Sequence, residues 1–379
     1  MRFRSSTLMA GALLAVTLLT AACGSTATKS SSGDLSADSQ KALDAAYTGV
    51  TGTPPIASVT APKGVSLWVM SCGEQAVTCH TPAVAVEAAA KTLGWSTHLC
   101  DGQLNPTGFA NCIRQAASAK AKVLIPIGID CSSAKQAFVD AKKAGVTIVG
   151  GGGANCDGDD GQPIWATERL QLKDHTLKQF YLLNGKLQAD YLIGKTNGKA
   201  KVLVVNFTDQ VWGPWITDGF RQELASCKGC SIVGTLDLSN NDFVSNTATQ
   251  KFSSAILKAR TANGIIVPVD GWLTSGLAQA VVQSGRNDSI TVVGRFGDKG
   301  NTDLIRNNQG QDATVGYPSD WGAWGSVDEA ARVLTGQDPV AEGDGVKVLD
   351  KDHDLPASGQ SYQGDVDYQA AYRKAWGLS

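Results

Sequence analysis

The sequence predicts an α/β protein made of two doubly wound lobes, each built on a parallel sheet. Short runs rich in β-branched residues alternate with segments of helical spacing along the chain, a pattern typical of parallel strands that are buried on both faces. The 379-residue chain is also too long for a single hydrophobic core. The alternation restarts near the middle of the chain, which indicates two lobes of this kind.

The first lobe is predicted from four apolar runs of strand length. These are GVSLWVM (64–70), WSTHLC (95–100), AKVLIPIGI (121–129) and VTIVGGGG (146–153). Each of the first three precedes a segment with apolar residues at helical spacing. The glycine run lacks the Lys-Ser/Thr of a phosphate-binding loop, and Asn155 breaks a dinucleotide-binding fingerprint, so we expect a crowded backbone turn there.

The second lobe is predicted to begin with a helix over residues 182–196. Its strands are KVLVVNF (201–207), SIVGTLDL (231–238), GIIVPV (264–269) and ITVVGRF (290–296). Segments of helical spacing such as ITDGFRQELA and TATQKFSSAILKART separate them. The order again favours parallel strands joined by helical crossovers.

The first 22 residues predict a lipoprotein signal peptide. Two arginines precede an apolar run over residues 8–19, which is shorter than the roughly 20 residues needed to cross a bilayer. The stretch LTAAC resembles a bacterial lipobox and predicts lipidation of Cys23, although Thr20 stands where Leu is commonest. An ordinary secretory cleavage site is the alternative. Residues 23–60 begin rich in Ser, Thr and Gly and are predicted to be a flexible tether.

The remaining cysteines are even in number, as expected of an exported protein whose cysteines all pair. Eight cysteines allow many pairings, and proximity within the predicted fold favours Cys72 with Cys79, Cys100 with Cys112, Cys131 with Cys156, and Cys227 with Cys230. A zinc site is disfavoured because CKGC is the only close pair. A redox role is disfavoured because CKGC follows a predicted helix instead of preceding one.

Polar residues recur at or just beyond the carboxyl ends of predicted strands, which is where open α/β sheets bind ligands. They are Asp101, Asp130, Asn155, Asp209, Asp270 and Asp298. The alternative for each is a cap on the following helix. Their concentration on one edge favours a ligand contact for some of them.

Composition and motifs exclude several function classes. Lys and Arg number 33 against 35 Asp and Glu, so there is no basic field for nucleic acid. No G-x-S-x-G motif occurs, the four histidines have no metal-ligand spacing, and no set of residues supplies a nucleophile, a base and an oxyanion stabiliser. In DKDHDL the residue Leu355 stands where a calcium loop needs glycine. We therefore expect no catalysis, no cofactor and no metal.

From about Lys63 to the C-terminus, the sequence resembles the type I periplasmic binding proteins, in particular the sugar-binding branch around ribose-binding protein. The resemblance is carried by residues 105–150, by GIIVPVDGWLTSGLAQAV and DGFRQEL, and by ATVGYPSDWGAWGSVDEAARVLTG (313–336), in the family's order and spacing. It implies two lobes joined by three hinge crossings. We expect 61–158 with 317–346 to form the N-terminal lobe and 159–316 with 347–379 the C-terminal lobe.

The resemblance also implies ligand contacts at three positions. Asp270 stands where the family has a sugar-contacting Asn or Asp, Asp130 matches the polar residue after the third strand, and Tyr317 lies at the last hinge crossing. A carboxylate can accept hydrogen bonds from two adjacent hydroxyls.

The sequence departs from the family at three loops. A cystine-closed insertion that runs to His80 replaces the short loop after the first strand. The loop after the fifth strand lacks the usual arginine and offers Trp212 and Trp215 instead. The aspartate expected after VVG is displaced, which leaves Arg295, Phe296 and Asp298 as candidates. His80 and Asp298 join the predicted ligand contacts.

Tryptophans are concentrated near the predicted cleft. If the fold is as predicted, Trp212, Trp215 and Trp272 lie at its edge, where a flat indole can pack on the C–H face of a sugar. Core packing is the alternative for each of them.

These features predict a monomeric lipoprotein on the extracytoplasmic face of a bacterial membrane. It would capture a sugar or polyol by hinge closure and present it to a permease driven by an ATPase. One alternative is a sensor that presents its bound solute to a membrane receptor, and another is an exported enzyme. A repressor of related fold is excluded by the export signal and by the absence of a helix-turn-helix.

Overall fold

The computed structural model describes residues 35–378. The predicted signal peptide, the lipidation site Cys23 and the first part of the predicted tether lie outside the described residues.

Ten strands make up the two sheets. They are β1 (Ser66–Ser71), β2 (Ser96–Asp101), β3 (Val123–Pro126), β4 (Thr147–Ile148), β5 (Lys201–Phe207), β6 (Ser231–Leu238), β7 (Gly264–Ile266), β8 (Thr291–Phe296), β9 (Ala313–Gly316) and β10 (Lys347–Asp350).

The helices alternate with the strands through most of the chain. They are α1 (Ala37–Thr48), α2 (Val77–Thr92), α3 (Pro106–Ser118), α4 (Lys135–Lys143), α5 (Leu177–Lys195), α6 (Trp212–Leu224), α7 (Asn240–Val244), α8 (Ala248–Lys258), α9 (Asp270–Trp272), α10 (Ala278–Gln283), α11 (Lys299–Arg306), α12 (Ser319–Leu334) and α13 (Tyr368–Ala375). A 3₁₀ turn spans Cys131–Ala134, and a π-helical turn spans Leu273–Leu277. No helix in the part of the chain that the structure describes has both the length and the apolar character to cross a membrane.

The N-terminal lobe is built on a four-stranded parallel sheet with the order β2-β1-β3-β4. Both central strands are buried, as their continuous apolar runs require. Helix α3 begins directly after Asn105, whose side chain caps it by accepting from the Gly108 backbone N–H at 2.9 Å, and Pro106 occupies the first helical position. The glycine run after β4 is crowded as expected: a Cβ at Gly153 would lie 2.0 Å from the Ile129 carbonyl oxygen.

The C-terminal lobe is built on a six-stranded sheet with the order β10-β9-β8-β7-β5-β6, in which only β10 runs antiparallel. Its first helix, α5, opens with a capping box between Thr176 and Gln179. Three connections form the hinge between the lobes, over residues 149–176, 317–318 and 335–346. The chain also passes between the lobes over residues 49–65, after α1, and over residues 351–367, before α13. This arrangement confirms the predicted fold of two parallel-sheet lobes.

Helix α13 corrects the predicted assignment of 347–379 to the C-terminal lobe. Strand β10 does pair with β9 there, but Tyr368, Tyr372 and Trp376 are buried in the core of the N-terminal lobe. Trp376 stacks on Trp324 of α12 with ring centroids 5.4 Å apart. The spacing of four residues places these aromatic rings on one face of α13, and that face needs an apolar partner.

Helix α1 corrects the predicted tether over residues 23–60. Residues 37–48 are helical, the Ser36 side chain caps the first turn, and Leu43 and Ala46 are buried against α5. The segment after it continues along the hinge, where Val50 pairs with Val346. Apolar residues three apart behind a serine cap are a helix signal, and it was obscured by the polar sequence before it.

Four disulfides are present, and they are the pairs favoured by the sequence: Cys72–Cys79, Cys100–Cys112, Cys131–Cys156 and Cys227–Cys230. The first three lie in the N-terminal lobe, and each has one cysteine at or near the carboxyl end of β1, β2 or β3. They restrain the loops at the edge of the sheet that faces the other lobe.

Candidate ligand-binding site between the lobes

The carboxyl ends of the two sheets face each other, and Asp130 joins them. Asp130 follows β3 and is 1% exposed. Its Oδ1 accepts from the Ala154 backbone N–H at 2.7 Å, within its own lobe, and its Oδ2 accepts from the Val211 backbone N–H at 2.6 Å, in the other lobe. The carboxylate predicted as a ligand contact therefore bridges the two lobes.

Two neighbours of Val211 complete this connection. The Gln210 Oε1 atom accepts from the Asp130 backbone N–H at 2.8 Å and from the Ser133 hydroxyl at 3.4 Å. The Trp212 indole N–H donates to the Gly128 carbonyl at 3.3 Å. We call Asp130, Gln210, Val211 and Trp212 the interlobe latch. It fixes the start of α6 against the loop after β3.

Asp270 has a different environment from Asp130. It follows β7 and has no exposed surface. Its four donors all belong to the C-terminal lobe: the backbone N–H groups of Arg295 (2.9 Å) and Gly297 (2.8 Å) and the side chains of Gln311 (2.9 Å) and Thr314 (2.9 Å). A Cβ at Gly294 would lie 1.8 Å from Oδ1. Asp270, which the resemblance predicts as a sugar contact, organises the loop after β8 through these bonds.

Trp212 is buried between the lobes at 6% exposure. Its ring stacks on Tyr181 with centroids 5.4 Å apart and planes 15° apart, and the edge of Phe207 meets it at 5.0 Å. Trp215 is half-buried, with its ring 6.3 Å from that of Tyr181 and 6.0 Å from the Lys178 ammonium. Trp212 thus has the cleft position that the sequence predicts.

Trp272 packs inside the C-terminal lobe. Its ring stacks on Phe243 with centroids 4.9 Å apart and meets the edge of Phe207 at 5.1 Å. Of the three tryptophans predicted at the cleft edge, Trp272 therefore has the contacts expected for core packing.

The three hinge connections meet at one polar contact. Each supplies one buried side chain: Arg169, Tyr317 or Asp344. The Arg169 guanidinium donates to the Tyr317 hydroxyl, which in turn donates to Asp344 Oδ2 at 2.8 Å. Arg169 Nε lies 3.8 Å from the same oxygen. Burial raises the pKa of Asp344 to about 6, against the opposing charge of Arg169, so the pair is ionised at neutral pH. Tyr317, predicted as a ligand contact, links the hinge.

Arg295, at the end of β8, lies in an aromatic enclosure. Its guanidinium carbon is 4.2 Å from the ring centroid of Phe296, 5.0 Å from Tyr181, 5.6 Å from Tyr317 and 5.8 Å from Trp212. Arg295 is 2% exposed, and its Nε donates to the Asn184 side-chain oxygen at 2.7 Å. Its Nη1 is buried and has no acceptor among the described residues. Such a donor can bind an oxygen of a ligand.

A sequence profile of the periplasmic binding protein domain matches residues 79–338. The match covers well over half of the chain. The chain belongs to this family. Because the family consists of binding proteins, membership also confirms the expectation that the chain is not an enzyme.

Solved structures of other periplasmic binding proteins share the fold. The glucose–galactose-binding protein GanP from Geobacillus stearothermophilus is 19% identical, with a TM-score of 0.65, over 78% of this chain and 100% of that one. The 5-methylthioribose transporter solute-binding protein of Thermotoga lettingae is 16% identical, with a TM-score of 0.65, over 85% of this chain and 95% of that one. The periplasmic binding component of the arabinose transporter of Shewanella sp. ANA-3 is 16% identical, with a TM-score of 0.63, over 76% of this chain and 92% of that one. No curated protein sequence matches the chain.

Two further residues of this periplasmic binding protein, His80 and Asp298, were predicted as ligand contacts. His80 is exposed in the first turns of α2, where its ring nitrogen Nδ1 is 2.8 Å from Glu74. Asp298 is 2% exposed and precedes α11, and its Oδ2 has no partner among the described residues. Burial, together with the charge of Asp270, raises the pKa of Asp298 to about 8, so this carboxyl is mostly protonated at neutral pH.

Two other aspartates at strand ends organise turns. Asp101 accepts from the backbone N–H groups of Glu74 and Gln103, and Asp209 accepts from that of Asn240 at 2.7 Å. Asp209 also borders a cavity of about 620 Å³ at the mouth of the cleft, lined by both lobes. Within residues 35–378, no cluster of His, Cys, Asp or Glu has the arrangement of a metal site.

Sequence reasoning missed several residues of the site. Tyr181 and Asn184 lie on α5. Asn184 fell within the predicted helix over residues 182–196 and Tyr181 just before it, and neither carried any further signal. Arg169 and Asp344 lie in connections without regular periodicity. A signal was present only for Arg169, a lone arginine between a predicted strand and a predicted helix that each belong to a different lobe.

Proposed function

We propose that this protein is an extracytoplasmic solute-binding protein that captures a small polar molecule, a sugar or polyol, and delivers it to an ABC-type importer. The observation that carries the proposal is a buried Arg295 donor that has no acceptor in the described part of the chain and is enclosed by four aromatic rings between two lobes. A sugar suits both parts of this enclosure, because its oxygens accept hydrogen bonds and its C–H face packs on an aromatic ring.

The structural neighbours support this ligand class. One is named as a glucose–galactose-binding protein, one was solved with 5-methylthioribose, and one was bound to arabinofuranose. Each ligand is a sugar or a sugar derivative of a size that suits an interlobe cleft.

Closure of the lobes is the proposed means of capture. The interlobe latch supplies direct hydrogen bonds from one lobe to the other, and the contact between Arg169, Tyr317 and Asp344 ties the three connections together at the hinge. A ligand that contacts both lobes adds to the stability of the closed form, because it has fewer contacts in the open one.

The proposal includes a lipid anchor and a monomeric state. Cys23 would carry the lipid, and a short tether would lead to α1, which is packed on the C-terminal lobe. The importer, a permease with a cytoplasmic ATPase, would then recognise a surface formed by both lobes.

The test is a ligand screen on the mature chain with Cys23→Ser, which removes the lipid without changing residues of the cleft. We expect at least one sugar or polyol to raise the midpoint of thermal unfolding with increasing concentration and to bind in calorimetry, whereas amino acids and nucleosides leave both unchanged. Nuclear magnetic resonance of the bound ligand should show no turnover. Binding of amino acids or nucleosides in place of sugars, or conversion of the ligand, would overturn the proposal.

A further inference from the structure

The described residues contain three buried arginines, and two of them are paired with carboxylates. Arg332 donates to Asp328 at 2.6 Å, and Arg169 lies beside Asp344 at the hinge. Arg295 forms no salt bridge with any described residue, and its one side-chain hydrogen bond goes to the neutral amide of Asn184. Buried charges are ordinarily paired, because removing an ion from water is costly.

The buried aspartates of the cleft and hinge are not available to Arg295. Asp130 accepts from backbone N–H groups with both oxygens, and each oxygen of Asp270 has two donors. Asp344 is engaged by Tyr317 and Arg169, and Asp298 is mostly protonated at neutral pH. The positive charge of Arg295 therefore has aromatic faces around it and no negative partner among residues 35–378.

The enclosure makes a negative partner more effective. Four aromatic rings surround the guanidinium and exclude water, and opposite charges attract each other more strongly in such surroundings than in solution. The guanidinium also offers planar donors that match the two oxygens of a carboxylate.

We propose that the ligand carries a carboxylate that pairs with Arg295, so that the preferred solute is a sugar acid and not a neutral sugar. This inference rests on the proposed function. The single positive charge of Arg295 matches the single negative charge of a carboxylate. A phosphate would bring nearly two negative charges, and Arg169 could not balance the second because it is already paired with Asp344.

The experiment compares two matched pairs by calorimetry: D-galacturonate with D-galactose, and D-glucuronate with D-glucose. In at least one pair, the acid should bind about ten- to a hundredfold more tightly than the neutral sugar, because a hydrogen bond to a charged group is worth about 1.5–3 kcal/mol. Arg295→Gln should abolish that preference. Arg260→Gln, which removes an exposed arginine of the same lobe, should retain it.

Arg295→Lys covers the case in which the glutamine variant does not fold. It keeps the charge and loses the planar fork, so it should bind the acid more weakly than the native protein does and still prefer it to the neutral sugar. Tighter binding of the neutral sugars, or an acid preference that survives Arg295→Gln, would overturn this inference while leaving the proposed function intact. Preference for galactose 6-phosphate over galacturonate would overturn the choice of carboxylate. If no member of either pair binds and the broader screen finds no sugar or polyol, both proposals fail.

Discussion

Asp130 and Asp270 are both buried and each lies four residues beyond the end of a strand, β3 or β7, yet the two carboxylates have different partners. Asp130 joins the lobes through Val211, whereas all four donors to Asp270 lie in its own lobe. Position at the carboxyl end of a strand places a side chain near the cleft. The positions of its hydrogen-bond donors decide whether it joins the two lobes or stabilises one lobe.

The largest effect expected from this difference is on folding. Asp270→Ala removes the acceptor of four buried donors, two of them backbone N–H groups. We expect the free energy of unfolding of the unliganded protein to fall by at least about 3 kcal/mol, since each unsatisfied buried donor costs about 1–3 kcal/mol. Urea unfolding followed by circular dichroism measures this.

Asp209→Ala is the matched control, because Asp209 also follows a strand of the same lobe but is exposed and accepts one backbone hydrogen bond. It should change stability much less. An Asp270→Ala protein with native stability and lost ligand affinity would instead restore Asp270 as a ligand contact.

The second expected effect concerns closure and depends on pH. Burial raises the pKa of Asp130 from 3.8 to about 6, and its hydrogen bonds with Ala154 and Val211 oppose that shift. In an open form, this carboxyl would be exposed and would keep its usual pKa, so the closed form binds more protons between the two values. Closure should therefore become less favourable as pH rises from about 4 to about 6, by at most about 3 kcal/mol, and titration of Asp130 should add no further pH dependence above that range.

Small-angle X-ray scattering of the unliganded protein across this pH range reports the extent of closure. Asp130→Asn removes the titrating group while keeping an acceptor and nearly the same shape, so the part of the pH dependence that comes from Asp130 should vanish in it. Burial also raises the pKa of Asp270, but Asp270 remains buried within one lobe whether the cleft is open or closed. Identical pH profiles in the native protein and the Asp130→Asn variant would show that Asp130 does not couple protonation to closure.

The sequence was a good guide to elements and a poor guide to the partners of individual side chains. Strands β1 to β8 were predicted from apolar runs, because burial on both faces of a sheet favours such runs, whereas β9 and β10 were not predicted as strands. Trp212 was also placed well, since it begins a helix directly after a strand. Asp130 and Asp270 could not be told apart, because their donors come from positions 24 to 81 residues away for Asp130 and 25 to 44 residues away for Asp270.

Two errors have a shared physical origin. Helices α1 and α13 are short amphipathic segments, and each is stabilised by packing on a distant part of the chain. The polar composition before α1 made that segment resemble a tether. Helix α13 was assigned to the C-terminal lobe because it follows that lobe's last strand in the chain. Neither property reports the tertiary partner of an apolar face.

The smallest expected effect separates Trp212 from Trp272. Trp212→Phe removes the indole N–H that donates across the cleft to Gly128 at 3.3 Å, while a ring remains to stack on Tyr181. We expect closure to weaken by about 0.5–1.5 kcal/mol, the net value of one hydrogen bond. Scattering of the unliganded protein and calorimetry with a ligand from the screen measure the change.

Trp272→Phe is the matched control, because the Trp272 ring packs on Phe243 and Phe207 within one lobe. It should lower the stability of that lobe without changing the extent of closure. If the two variants weaken closure equally, the effect of Trp212 comes from loss of ring area and not from its hydrogen bond to the other lobe. The division between residues that act across the cleft and residues that act within one lobe would then hold for the two aspartates and not for the two tryptophans.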